Sequence, residues 1–145
     1  MEFEFEFEAK GPITEPDLNA YEKQKGFVLP EEYRLHMLDW NGGGVNIPLN
    51  YKDEDGFELA LSSLYPLAND ILTLVTVNDM LEHILPEGYI VIGSTRAGLD
   101  IIICVESGEK YGEIKAMRET SELIYIAPSL TQYFNQLVID EDYID

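Results

Sequence analysis

The sequence predicts a single α+β domain with N-terminal helices, a central, mostly antiparallel sheet and a closing C-terminal helix. Apolar residues recur every three to four positions before residue 42 and again near residue 130, which is the period of an amphipathic helix. Between residues 89 and 127, short apolar runs alternate with turn residues, which predicts strands joined by hairpins. The 145 residues show no linker, internal repeat or low-complexity tract, so we expect residues 1–145 to form one domain.

A first strand is predicted within residues 1–10. The segment "EFEFEFE" alternates glutamate and phenylalanine from Glu2 to Glu8. A period of two places the phenylalanines on one face of a strand and the four glutamates on the other. Such a strand can lay one face on a core while the other face meets solvent.

The next segment predicts a helix whose two ends are both marked. Thr14 can be its N-cap, Pro16 lies in the first turn, and Asp17 stands three residues after the cap. Leu18 and Tyr21 form its apolar side, and Gly26 is a typical residue for ending a helix.

A second helix is predicted to start at Pro30 and to end near Asn41. Its acidic first turn suits the positive helix N-terminus, and Tyr33, Met37 and Trp40 follow the spacing of a buried stripe. Asn41 and Gly42 tolerate the left-handed turn that ends a helix, and Gly43 and Gly44 then lead into a strand.

The rest of the chain predicts strands, one short helix, a last helix and an acidic tail. Strands are expected on both sides of the acidic loop "KDEDGFE", and a helix over residues 76–85, capped by Thr76 or Asn78. Four strands follow in "YIVIGS", "LDIIICVES", "GEIKAMRE" and "LIYIA". The segment "PSLTQYFNQLV" predicts the closing helix, and residues 139–145 an acidic tail.

The charge of the chain excludes several classes of partner. It carries 9 Lys and Arg against 28 Asp and Glu, a net charge of -19 at pH 7. Such a field repels nucleic acids and anionic membranes and attracts basic proteins, although it can also serve solubility alone.

One cysteine, Cys104, cannot form an intrachain disulfide, and no apolar run reaches the roughly 20 residues of a membrane span. We therefore expect a cytoplasmic protein.

Motifs for catalysis, cofactors or metals are weak throughout the sequence. The glycines of "NGGG" follow a helix and enter a strand, which reverses the order of a phosphate-binding loop. The acidic loop fails the EF-hand pattern, because Tyr51 and Ser62 would fall on its first and twelfth positions. A loose cation site at Asp53, Asp55 and Glu58 stays open, but a solvated turn is favoured. We expect no cofactor, no metal and no catalytic residue, with a hydrolase using paired carboxylates as the least favoured alternative.

The order of the helix signals resembles the SUKH superfamily. The segment "ITEPDLNAYEKQKGFVLPEEYRLHMLDWNGGG" is similar to its N-terminal signature, a short helix ending in Gly followed by Leu-Pro-x-x-Tyr and a helix ending in Asn-Gly-Gly. The segments "GYIVIGSTRAGLDIIICVES" and "SLTQYFNQL" resemble its strand pair and its closing helix. The residues that carry this fold motif are Gly26, Leu29, Pro30, Tyr33, Trp40, Asn41, Gly42 and Gly43.

The resemblance implies a SUKH-like α+β fold and a non-enzymatic bacterial immunity protein that binds and neutralises a toxin, often a nuclease. A regulatory or scaffolding module that binds an endogenous protein is the alternative, since related eukaryotic members have such roles. A nuclease that holds phosphate is basic, so its charge is complementary to this chain. We expect a basic toxin as partner, no nucleic acid or membrane contact, and a contact surface at Asp53, Glu54, Asp55 and Glu58.

Overall fold

A computed structural model describes residues 7–8, 11–50, 61–67, 72–96, 98–118 and 122–139. The elements, in chain order, are β1 (Phe7–Glu8), α1 (Glu15–Lys25), α2 (Glu31–Trp40), β2 (Gly43–Asn50), β3 (Leu61–Leu64), α3 (Leu74–Leu81), β4 (Tyr89–Thr95), β5 (Asp100–Cys104), β6 (Ile114–Arg118), β7 (Glu122–Ala127), α4 (Leu130–Gln136) and β8 (Val138–Ile139). This arrangement confirms the predicted α+β class, with helices before the sheet and a helix at its end.

Over the described residues, the strands form one eight-stranded sheet in which all neighbours are antiparallel. The order is β1-β2-β3-β4-β5-β6-β7, and β8 pairs with β2. Sequential strands lie side by side from β1 to β7. Short connections join β4 to β5 and β6 to β7, whereas α1 and α2 lie between β1 and β2 and α3 lies between β3 and β4. The central strands of this order are therefore β3, β4 and β5.

Helices cover both faces of this sheet. Ile101 and Ile103 lie in the large core beneath α1, α2 and α4, whereas Ile102 packs with Val77 of α3 and Val91 on the opposite face. The run "DIIIC" is therefore a strand, as predicted, and it is buried on both sides.

The caps of α1 are as predicted. The Asp17 carboxylate accepts hydrogen bonds from the backbone N–H of Thr14 at 2.8 Å and from its hydroxyl at 3.0 Å. At the other end Gly26 has a φ of 81°, the left-handed conformation that ends the helix, and its N–H donates to the carbonyl of Glu22.

The junction after α2 is also as predicted, and Asn41 is its centre. Asn41 adopts a left-handed φ of 49° and is 1% exposed. Its side-chain amide donates to the carbonyl of Gly11 at 2.9 Å, and its side-chain oxygen accepts from the N–H of Leu67 at 2.8 Å. The side chain thus ties the end of α2 to two distant segments, so the predicted helix stop also organises the tertiary structure.

Three sequence-based boundaries were wrong or incomplete. The helix predicted over 76–85 starts at Leu74, and its N-cap is Thr73, whose hydroxyl accepts from the N–H of Thr76 at 3.2 Å. Ile139, the first residue of the predicted acidic tail, pairs with Leu49 of β2, and residues 140–145 lie outside the described residues. For the N-terminal strand, Phe7 and Glu8 pair with β2, while the other residues of 1–10 lie outside the described part of the chain.

Candidate functional site

Three loops meet beside the C-terminal end of α1 and enclose a cleft of about 580 Å³. They are the α1–α2 connection, the turn before β4 and the β5–β6 connection. The cleft is lined by Gly26, Phe27, Val28, Gly88, Val105, Glu106, Ser107, Gly108 and Tyr111. Its volume lies within the roughly 300–1,000 Å³ range of protein ligand sites.

Main-chain and side-chain hydrogen bonds fix the walls of the cleft. The Tyr111 hydroxyl donates to the carbonyl of Val28 at 2.7 Å, which joins the β5–β6 loop to the α1–α2 loop. The N–H of Val105 donates to the carbonyl of Gly88 at 2.7 Å, which joins the β5–β6 loop to the turn before β4. The three loops are therefore held together without any ligand, and the cleft is preformed.

The floor of the cleft is apolar and partly uncovered. The Phe27 ring packs edge-on against Tyr21, with 5.8 Å between ring centroids, and this contact fixes its position. Val28 is 65% exposed at the rim. Next to them, a side chain at Gly26 or Gly108 would find no atom within 4 Å, so the surface there is open.

A second depression of about 280 Å³ adjoins the cleft, because both are lined by Phe27 and Gly88. We call it the acidic groove, since three carboxylates line it against one lysine. Its lining residues are Tyr21, Lys25, Phe27, Asn78, Asp79, Glu82, Leu85, Pro86, Glu87, Gly88, Tyr89 and Ile90. Lys25 lies 3.4 Å from the Asp79 carboxylate, so its charge is already neutralised within the groove.

Glu106 lies where the cleft meets the acidic groove. Its side chain covers Gly88 so closely that a β-carbon there would be 2.5 Å from Glu106 Oε2. The side chains of Glu82, Glu87 and Glu106 are all exposed. Burial, followed by the nearby Glu22 carboxylate, raises the pKa of the neighbouring Tyr111. The two depressions together therefore present an apolar floor beside a negative rim.

Tyr89 also belongs to a hydrogen-bonded cluster on the sheet. Its hydroxyl donates to Glu113 Oε1 at 2.8 Å, and Lys115 lies 3.3 Å from the same carboxylate and 5.2 Å from the Tyr89 ring centroid. Burial, followed by the Glu113 carboxylate, raises the pKa of Tyr89, so this phenol stays protonated at neutral pH. The cluster neutralises its own charges and braces the strand that leads out of the acidic groove.

The residues most often used in catalysis have structural roles in this fold. His36 is buried, and its Nε2 donates to the carbonyl of Gly42 at 2.9 Å; burial lowers its pKa to about 4. Cys104 is a buried free thiol that faces the carbonyl of Glu106 at 3.6 Å. Among the described residues, no group of three or more His, Cys, Asp or Glu side chains is arranged to hold a metal ion.

The sequence-predicted contact residues Asp53, Glu54, Asp55 and Glu58 lie within 51–60, outside the described residues, so that surface remains a prediction. The fold-motif residues, in contrast, have clear roles. Leu29 and Tyr33 are buried in the core, and Trp40 packs against it half-buried. Gly26 is the one motif residue that also lines the cleft.

Sequence reasoning did not identify the cleft. Its lining comes from segments about 60 and 20 residues apart along the chain, near residues 27, 88 and 107. The available signals were the turn residues Ser107 and Gly108 between acidic neighbours, and the exposed Val28 between two helices. No described helix is long and apolar enough to cross a membrane.

Comparison with protein families places the fold. A profile of the SMI1 / KNR4 family (SUKH-1) matches residues 12–136, which run from just before α1 to the end of α4. The chain belongs to this family. The SUKH resemblance inferred from the helix signals is thereby confirmed, and the match includes the cleft and the acidic groove but not β1 or β8. No curated protein matches the chain.

Proposed function

We propose that this SUKH protein is a cytoplasmic immunity protein that binds a cognate toxin and neutralises it stoichiometrically, without catalysis. Membership of the family is the observation that carries the proposal, and it is consistent with an immunity role. The cleft supports a binding role, because hydrogen bonds within the chain join its walls and preorganise it for a partner.

The charge of the chain supports a basic toxin, for example a nuclease. A nuclease has to hold phosphates with basic groups, and a net charge of -19 attracts such a surface and accelerates its association at low salt. The same field disfavours nucleic acid and anionic membranes as partners. In this proposal the acidic loop with Asp53, Glu54 and Asp55 remains a second contact surface.

Co-expression tests the proposal directly. The product of the neighbouring gene, taken as the candidate toxin, is expressed under an inducible promoter with and without the immunity protein. We expect the immunity protein to restore growth and to purify with the toxin as a complex of fixed stoichiometry, measured by light scattering.

Stoichiometry separates binding from catalysis. With purified toxin, inhibition should be complete only when the immunity protein equals or exceeds the toxin in concentration. Inhibition by a small fraction of an equivalent would contradict a binding mechanism. Undiminished killing by the toxin, together with co-purification of an endogenous protein, would replace the proposal with the regulatory or scaffolding alternative.

A further inference from the structure

Resting on the proposed function, we propose that the cleft and the acidic groove form one docking site for an extended basic segment of the partner protein. An apolar side chain of that segment would occupy the cleft, and an adjacent arginine or lysine would lie over the acidic groove.

The shape of the site favours a polypeptide chain. The two depressions share Phe27 and Gly88, so an occupant that runs from one into the other passes the Glu106 carboxylate, which covers Gly88. Glycines at positions 26 and 108 leave the floor low enough for a main chain to approach, because nothing stands within 4 Å of their β-carbon positions. Alternate side chains of an extended segment can then fill adjoining pockets.

The apolar part of the site supplies an anchor. Phe27 is held by Tyr21, and Tyr111 is held by its hydrogen bond to Val28, so both aromatic rings are in place before binding. Preorganised aromatic and aliphatic contacts at the centre of an interface supply most of its binding energy. The exposed Val28 side chain loses its contact with water when the cleft is filled.

Charge complementarity fixes the chemistry of the occupant. The lining carries four carboxylates, at Asp79, Glu82, Glu87 and Glu106, against the single ammonium group of Lys25. Because Lys25 is paired with Asp79, the other three carboxylates determine the local field. Such a rim favours a guanidinium or ammonium group. It repels an acidic segment, and a purely apolar segment leaves its carboxylates unpaired.

A matched pair of double variants tests the site against overall charge. The site variant is Glu87→Gln with Glu106→Gln. The control is Glu15→Gln with Asp39→Asn, at exposed positions in the first turn of α1 and the last turn of α2. Both variants change the net charge by two units, so long-range attraction changes equally. Binding of the adjacent-gene toxin domain is measured by calorimetry at two salt concentrations.

We expect the site variant to weaken toxin binding at least ~10-fold, while the control changes it less than ~3-fold. All four positions are exposed, so both variants should keep the thermal midpoint of the parent protein. Equal weakening by the two variants, or no weakening by either, would overturn the docking site. If the unmodified protein itself fails to bind or neutralise the toxin, the proposed function fails instead, so the two failures are distinguishable.

A short synthetic peptide tests the chemistry of the occupant independently of any toxin. Acetyl-Arg-Leu-Arg-amide is titrated into isotopically labelled protein, with acetyl-Glu-Leu-Glu-amide as the control. The proposal expects backbone amide shifts confined to residues 26–28, 79–90 and 105–111, and none from the control peptide. Shifts spread over the whole acidic surface, or no shifts with the arginine peptide, would show that the groove does not select basic side chains.

Discussion

Two sets of glycines in this fold have opposite surroundings. A β-carbon at Gly42 would lie 2.6 Å from the carbonyl oxygen of Leu64, and one at Gly93 would lie 2.4 Å from that of Ser63. At Gly26 and Gly108, in contrast, no atom lies within 4 Å of that position. Gly42 and Gly93 let backbone segments pack in direct contact, whereas Gly26 and Gly108 leave the surface at the cleft uncovered. Glycine therefore specifies packing at the end of α2 and access at the cleft.

Substituting alanine at Gly42 and at Gly26 gives the sharpest test of this comparison. Both residues have nearly the same φ, 82° and 81°, so the conformational cost of a side chain is nearly equal at the two sites. That cost is about 1–2 kcal/mol for a left-handed residue. We expect Gly26→Ala to lose only this amount and Gly42→Ala to lose at least ~3 kcal/mol, because its β-carbon meets main chain.

Urea unfolding of the two variants separates the free-energy cost of the steric clash at position 42 from the cost of the left-handed backbone conformation. The loss of unfolding free energy at Gly26 is subtracted from the loss at Gly42. A difference smaller than about 0.5 kcal/mol would show that the two glycines have equivalent surroundings, contrary to the close contacts of Gly42.

The region that holds the fold together was also the region that the sequence could predict. The ends of a helix depend on residues that are close in sequence. The start of α1 is therefore visible in Thr14 and Asp17, and the end of α2 in Asn41 and Gly42. The start of α3 was misplaced because Thr73, Thr76 and Asn78 are all suitable capping residues, and the structure uses Thr73. Local patterns predict an element well, but its boundary depends on which of several capping residues the tertiary structure selects.

The candidate site could not be predicted for the same physical reason. Phe27, Glu87 and Glu106 come together only because α1 lies beside the ends of β4 and β5. No local pattern records that arrangement, and in a chain with 28 acidic residues a few more carboxylates carry no signal by themselves. The predicted docking of the toxin on residues 53–58 and the proposed docking in the cleft are therefore separate hypotheses, which the site variant distinguishes.

Asn41→Gly measures how much the buried amide contributes apart from its backbone conformation. Glycine adopts the φ of 49° without strain, so the variant removes only the side chain. The carbonyl of Gly11 and the N–H of Leu67 then lose a buried partner, and we expect a loss of about 2–3 kcal/mol in unfolding free energy. A loss below about 0.5 kcal/mol would mean that water replaces the amide at no cost.

Acidification should reveal the buried His36. Its pKa is about 4 in the fold against 6.5 when exposed, so the unfolded chain binds a proton that the folded protein excludes. Stability is therefore lost as the pH falls through 6.5 toward 4, by about 2 kcal/mol between pH 7 and pH 5. The nearby Asp39 carboxylate acts in the opposite direction and raises the pKa, but burial is the larger effect.

Two histidine variants isolate this contribution from the many carboxylates. His36→Gln keeps a donor for the carbonyl of Gly42 and should lose unfolding free energy less steeply between pH 7 and pH 5 than the parent protein. His83→Gln, at an exposed position in the turn after α3, should retain the parent slope. Equal slopes for the parent and His36→Gln would contradict a neutral, buried imidazole.

The smallest expected effect concerns two ion pairs that belong to the two regions. Glu22 of α1 pairs with Arg34 of α2, and both side chains are only 13% exposed. The second carboxylate oxygen of Glu22 accepts a hydrogen bond from the N–H of Leu29 at 2.7 Å. Asp79 pairs with Lys25 at the acidic groove, where its side chain is 59% exposed. Because solvent screens the exposed pair, Asp79→Asn should change the unfolding free energy by less than about 0.5 kcal/mol.

Glu22→Gln should cost about 1–2 kcal/mol, because a half-buried guanidinium and a backbone N–H both lose a charged acceptor. Thermal unfolding at low and high salt compares the two variants, and salt should reduce only the small effect of Asp79. If Asp79→Asn proved as costly as Glu22→Gln, the groove carboxylates would stabilise the fold. If it proves nearly neutral, the fold does not require the charge at position 79, and the groove carboxylates remain available for binding a basic partner.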